Sequence, residues 1–187
     1  MTKILQIKIS LDNSKPLIWR RFQVKDSISF HQLHEIIQVV MGWDASHLYE
    51  FFIDKRIQIG EPHEDYNEPP LDAKKIKLNE IIRNPKQKIE YVYDFGDGWD
   101  HTLKLEKIME EKKDQKYPVC LDGERNCPPD DCGGIGGYKD LLKILKNKKH
   151  EEHKEMLEWL GNPFDSEAFD CEKVNKELKR FAKKTSR

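Results

Sequence analysis

Three cysteines, Cys120, Cys127 and Cys132, have six and four residues between them, in a stretch stiffened by Pro128 and Pro129 and followed by Gly133, Gly134, Gly136 and Gly137. Thiolates are zinc ligands, and these three with His101 or an aspartate would complete a tetrahedral set. The spacing lacks a CxxC knuckle, so zinc stands beside two alternatives, reduced structural thiols and a redox or disulfide role. A second group is acidic: Asp94, Asp97 and Asp100 crowd the run YDFGDGWDH at 93–101, and Asp130 and Asp131 lie inside CPPDDCGG at 127–134. If His101, Asp97, Asp130, Asp131 and the cysteines held a divalent ion, the chemistry would be metal-assisted hydrolysis, with the ion activating a water. Without an ion the same residues offer a recognition surface for a protein or a small ligand.

Other catalytic patterns fail on inspection. GGIGGY at 133–138 resembles a phosphate cradle at a helix start but lacks the Lys-Ser/Thr of a P-loop. Asp94-Phe95-Gly96 matches a kinase tripeptide without a glycine loop or catalytic HRD segment. The chain contains neither a Ser-His-Asp elbow nor an HExxH helix.

The acidic run must be positioned by a hairpin. Ile89, Tyr91, Tyr93 and Phe95 share one side of an alternating strand, and Trp99, His101, Leu103 and Leu105 share one side of the next. A bend at Gly96-Asp97-Gly98 predicts that Phe95 faces Trp99, Tyr93 faces His101 and Asp94 faces Asp100. Opposed carboxylates repel, so that register needs a cation, an arginine or turn amides to offset them. Arg20 or Arg21 of IWRR at 18–21 is the arginine to expect, since adjacent strand residues point to opposite faces and one must be directed inward. Trp19, Trp43 and Trp99 would then wall the site. The plainer alternative is that Asp94 or Asp97 hydrogen-bonds its own turn, and that His101 is a core histidine.

The remaining elements follow from periodicity. Alternation predicts strands over 3–11 and 17–24, a turn and strand over 43–53, and an extension or return at 56–59. Phe30, Leu33, Ile36, Ile37, Val40 and Met41 form a helical stripe over 30–41, capped by Ser29 and closed by Gly42. His31 and His34 on that helix read as surface or boundary residues. EPHEDYNEPP at 61–70 is an acidic, proline-rich loop, and 107–116 is a charged surface connection. Helical periodicity dominates 138–149, 150–160 and 171–184.

Charged residues make up 36% and apolar ones 37%, yet the chain holds 8 Phe, 6 Tyr and 4 Trp, which supports a folded core. A net charge of −1 gives no overall attraction to nucleic acid or anionic lipid. DNA binding would depend on the basic helix that carries Lys173, Lys176, Lys179, Arg180, Lys183 and Lys184. The alternating N-terminus and the lack of a membrane-length apolar run predict a soluble, cytoplasmic protein with no membrane association.

IWRR at 18–21, LHEIIQVVMGW at 33–43, HLYEF at 47–51, YDFGDGWDH at 93–101, CPPDDCGGIGGY at 127–138 and FDCEKVN at 169–175 together resemble the plasmid pRiA4b ORF-3 family. Asp130 stands where the family tract CPPEDCGG has Glu, which shortens one carboxylate arm. The resemblance implies an α+β fold and an association with plasmids and other mobile elements, and it implies no particular chemistry. The expected architecture is one α+β domain, with an antiparallel sheet in 1–107, a Cys/Pro/Gly-rich loop in 108–136 and helices in 137–184. The helix at 30–41 packs on the sheet and the C-terminal helices cover an edge or face. The expected function is a non-enzymatic binding or accessory protein.

Overall fold

Alternation in KILQIKISL makes β1 (Lys3–Leu11) a half-buried strand, with Leu5, Ile7, Ile9 and Leu11 on the core face. It pairs antiparallel with β2 (Ile18–Lys25) across a turn tied by Ser14, whose hydroxyl donates to Leu11 O (2.7 Å) and accepts from the Ile18 N–H (3.0 Å). The computed structural model describes residues 2–54, 56–62 and 68–185. Part of the expected acidic loop, 63–67, and the chain end at 186–187 lie outside the described residues.

Helix α1 (Phe30–Met41) starts at a capping box between Ser29 and Gln32 and stops at Gly42, whose φ of 99° is left-handed. Then come β3 (Tyr49–Ile53), β4 (Ile57–Gly60), β5 (Leu71–Asp72), the short α2 (Leu78–Ile81), β6 (Lys88–Tyr93), β7 (Trp99–Glu110) and β8 (Val119–Glu124). Helices α3 (Gly134–Lys146), α4 (His153–Leu160) and α5 (Cys171–Thr185) complete the α+β fold. Among the described residues the eight strands form one sheet in the order β5-β4-β3-β6-β7-β1-β2-β8. The sheet is mixed and not purely antiparallel as expected, because β5 runs parallel to β4.

One face of the sheet packs against α1. Phe30 meets Phe51 edge-on at 5.1 Å, and Leu33, Ile37 and Val40 are buried with Phe22, Leu103 and Leu105. Each such side chain withdrawn from water stabilises the fold by about 1.5–3 kcal/mol. His34 is not the boundary residue its polarity suggests: it is 3% exposed, stacks on Tyr49 at 3.6 Å, and its Nδ1 meets the Tyr91 hydroxyl at 2.8 Å. Burial pushes it down to about 3, with His31 adding to the shift.

Two further expectations are corrected at the carboxyl side of the hairpin. The segment 107–116 is not a free connection throughout, since β7 continues to Glu110 and pairs with β1 as far as Lys3. Strand β8 lies inside the expected loop at 108–136, where it pairs with β2. Its other side is covered by α5: the Asn175 amide donates to Cys120 O (2.8 Å) and accepts from the Cys120 N–H (2.9 Å), as a neighbouring strand would. That pair of hydrogen bonds explains the place of asparagine at the end of FDCEKVN. Among the described residues no helix is long and apolar enough to cross a membrane.

Candidate functional site

The site lies at the end of the sheet where the β6–β7 turn meets two segments distant in sequence. Tyr93 pairs with Trp99 and Tyr91 with His101, two residues out of step with the expected register. A shift of two keeps every side chain on its expected face, because strand side chains repeat every second residue. It removes the expected clash between Asp94 and Asp100. Asp94 enters the turn with φ 55°. Its carboxylate accepts the Gly96 N–H (2.9 Å), and its carbonyl accepts the Gly98 N–H (2.7 Å). Turn amides therefore hold Asp94, while Asp100 sits exposed beside Val92 on the outer face.

The segment after α1 forms one wall. Trp43 stacks on Tyr93 (5.1 Å), lies 5.7 Å from Trp99, and donates its indole N–H to Pro128 O at 2.9 Å. The 127–134 segment forms the other wall. Asp97 accepts the Gly133 N–H at 3.1 Å, and Gly134 (φ 64°) passes so close to the Asp97 carbonyl that a Cβ there would collide with it. The bend and the CPPDDCGG segment therefore touch directly.

His47, on the connection into β3, lies between them. Its Nδ1 is 3.8 Å from Asp94 Oδ1 and its Nε2 is 3.4 Å from Asp131 Oδ1. Asp131, like Asp94, has a left-handed backbone (φ 57°), which Asp tolerates better than most residues. Among the described residues this is the group of His, Cys and acidic side chains able to share one cation, with a ligand atom of each within 4.8 Å of the others. Beside it the Asp130 carboxyl is pushed up to about 6, first by burial and then by Asp44. The Tyr93 hydroxyl is pushed up to about 12 by burial; Ser46 opposes the rise, while Asp130 and Asp44 add to it.

Buried polar atoms without partners gather here. Asp130 Oδ1, the Tyr93 hydroxyl and the Trp99 indole N–H are all shielded from water and, among the described residues, make no well-formed hydrogen bond. Such atoms cost about 1–3 kcal/mol each when nothing satisfies them. A cleft of about 380 Å³ opens alongside, lined by Trp43, Asp44, Pro128, Asp130, Asn162 and Phe164 among others. A larger groove of about 1190 Å³ lies elsewhere, between the 111–118 segment and α5.

Several expected partners do not come together. Arg20 is directed inward and is 2% exposed, but among the described residues it meets no carboxylate. It donates instead to Val40 O (2.9 Å), Trp19 O and Glu124 O (both 2.8 Å), and lies over the Phe169 ring at 4.2 Å. Arg21 points to the outer face and binds Glu106 through two nitrogens (2.7 and 3.0 Å). Strand β1 separates β2 from the hairpin, which keeps both arginines from Asp94 and Asp100. Trp19 is likewise on the outer face, between Lys8 (4.2 Å) and Arg21 (5.0 Å).

The expected thiolate set is also dispersed. All four cysteines are free: Cys120 packs near Cys171 of α5, Cys127 lies by Met41 Sδ (3.7 Å) and Arg20, and Cys132 lies near Asp97. Burial pushes Cys120 and Cys132 up to about 12 and Cys127 up to about 11, which favours thiols over thiolates. His101 is 1% exposed, edge-on to Trp43 at 5.3 Å, with neither ring nitrogen hydrogen-bonded. Burial pushes it down to about 4, opposed by the nearby Trp99 and Tyr91 backbone. Periodicity did not single out His47, because a lone histidine before a strand carries no spacing signal.

The sequence matches the family described as Plasmid pRiA4b ORF-3-like protein over residues 3–173. It is 35% identical, over the whole chain and 96% of the relative's length, to the uncharacterized protein y4hQ of Sinorhizobium fredii (strain NBRC 101917 / NGR234). The fold resembles the crystal structure of the protein of unknown function MM3350 from Methanosarcina mazei Go1, with a TM-score of 0.83 and 38% identity over 92% of this chain and 97% of that one. A match over this length, in a relative and in a solved fold alike, means that the chain belongs to the plasmid pRiA4b ORF-3-like family.

Proposed function

We propose that the protein is a non-enzymatic binding or accessory protein that takes a cationic partner segment at the acidic end of its sheet. The observation that carries this reading is the gathering of Asp44, Asp94, Asp97, Asp130 and Asp131 around buried polar atoms that lack partners. Trp43, Pro128 and Phe164 supply apolar walls beside Asp44 and Asp130, the composition of a site for a lysine or arginine side chain. The plasmid-derived family description favours a setting on mobile elements, and four free thiols suit the cytoplasm.

Titration of the full chain with short lysine- and arginine-containing peptides tests this. Cationic peptides should bind, acidic ones of equal length should not, and affinity should fall with added salt and with Asp44→Asn or Asp130→Asn. Equal binding of both peptide classes, or of neither, would remove the reading.

Metal-assisted hydrolysis keeps one supporting observation, the closeness of His47, Asp94 and Asp131 to the Asp130 carboxyl. DNA binding through α5 has less support. Its Leu178 and Asn175 are committed to packing, and Arg180 is paired with Glu177 at 2.6 Å.

A further inference from the structure

We infer that His47, Asp94 and Asp131 form a binding site for a divalent transition-metal cation of the zinc or manganese class. One nitrogen and two carboxylate oxygens lie within 4.8 Å of one another, close enough to converge on bonds of about 2.0–2.2 Å with small side-chain movement. Two carboxylates supply negative charge that a divalent ion balances, and the imidazole supplies a nitrogen ligand. The mixed nitrogen and oxygen set favours zinc, manganese or cobalt over calcium, which prefers an all-oxygen shell.

A second, independent feature points to a ligand. Tyr93 is fully buried, yet its hydroxyl has only a poorly formed contact with Ser46 although it lies beside His47 and Asp130. Asp130 Oδ1 is shielded and without a hydrogen bond in the same place, among the described residues. Native proteins rarely leave several such atoms together. A cation whose remaining coordination positions carry water would satisfy them, because three protein ligands leave a tetrahedral site incomplete.

The elements make the site rigid enough to hold an ion. Asp94 is fixed by the turn amides. The segment carrying Asp131 is pinned by the Asp97–Gly133 bond and by Trp43 on Pro128. His47 rests edge-on against Tyr93 at 5.8 Å. The alternative is a protonated His47 bridging two carboxylates as an ion pair, and the two differ in what they bind.

The inference deepens the cationic-partner reading and shares its location, so the test uses the metal alone. Full-length protein without a histidine tag, stripped with a chelator, is titrated with Zn2+, Mn2+ and Co2+ by calorimetry, and the cobalt form is examined by absorption. One equivalent should bind and raise the melting temperature. The cobalt spectrum should show d–d bands without thiolate charge transfer. Asp131→Asn, at a largely exposed position that Asn also tolerates, and His47→Gln should each weaken binding more than about tenfold. No metal binding, binding unchanged in both variants, or a thiolate band would overturn the inference. Peptide binding that persists while metal binding is absent would leave the cationic-partner reading standing.

Discussion

The Asp97 carboxylate accepts the Gly133 N–H at 3.1 Å, joining the hairpin bend to the start of α3 across 36 residues of sequence. The carbonyl of the same aspartate leaves no room for a side chain on Gly134, so one residue controls both the distance and the orientation of the CPPDDCGG segment. Asp97→Ala should cost about 1 kcal/mol, the ordinary value of such a bond. Gly134→Ala should cost more, about 2–4 kcal/mol, because it combines a collision with a left-handed backbone. Urea unfolding of both variants measures the order, and an equal loss would show that the approach at Gly134 is readily relaxed.

Arg20 is a buried cation held by three carbonyl oxygens and an aromatic ring rather than by a carboxylate. Its planar fork reaches α1, its own strand and β8 at once, which a lysine cannot do. Arg20→Lys should lose about 2 kcal/mol or more, and Arg20→Ala about 3–5 kcal/mol, as several buried carbonyls lose their donor. The midpoint of denaturant unfolding reads both.

His34 and His101 are neutral in the folded protein, with values pushed down to about 3 and about 4 by burial. Above pH 6.5 the imidazoles are neutral in folded and unfolded chains alike, and their contribution is complete. Below 6.5 the unfolded chain takes up protons that the folded one refuses, so stability falls with pH until the folded values are reached. The share of His101 is roughly 3 kcal/mol at 1.36 kcal/mol per pH unit. His101→Phe should therefore flatten the stability profile between pH 6.5 and 4, as followed by urea unfolding at each pH. An unchanged profile would mean that His101 takes up its proton as readily in the folded chain as in the unfolded one.

On the outer face Glu106 is held below the usual carboxylate range, first by hydrogen bonds from Arg21, which outweigh the opposing effect of burial, with Gln6 adding to the lowering. Its contribution is present above the unfolded value and is lost as pH falls through the lower folded one. The pair is bidentate and about three-quarters buried, so a double-mutant cycle of Arg21→Ala and Glu106→Ala should give a coupling of about 1 kcal/mol. A coupling indistinguishable from zero would assign the pair to surface decoration.

Local chemistry in the sequence determined the elements with the strongest patterns. The period-3.6 stripe with Ser29 and Gly42 at its ends marks α1, and alternation marks the faces of β1, β2, β6 and β7, because side-chain direction repeats with the backbone. The six family blocks likewise pointed to the right family. Pattern could not decide strand partners. The hairpin register differs by two residues from the one the bend predicts, a shift that keeps every side chain on its face. Strand β8 was hidden among cysteine, proline and glycine signals, since it exists only by pairing with β2 and Asn175. The fate of Arg20 and the meeting of His47 with Asp94 and Asp131 were decided by tertiary structure alone. Both depend on which strand lies between which, and non-local pairing leaves no periodic trace along the chain.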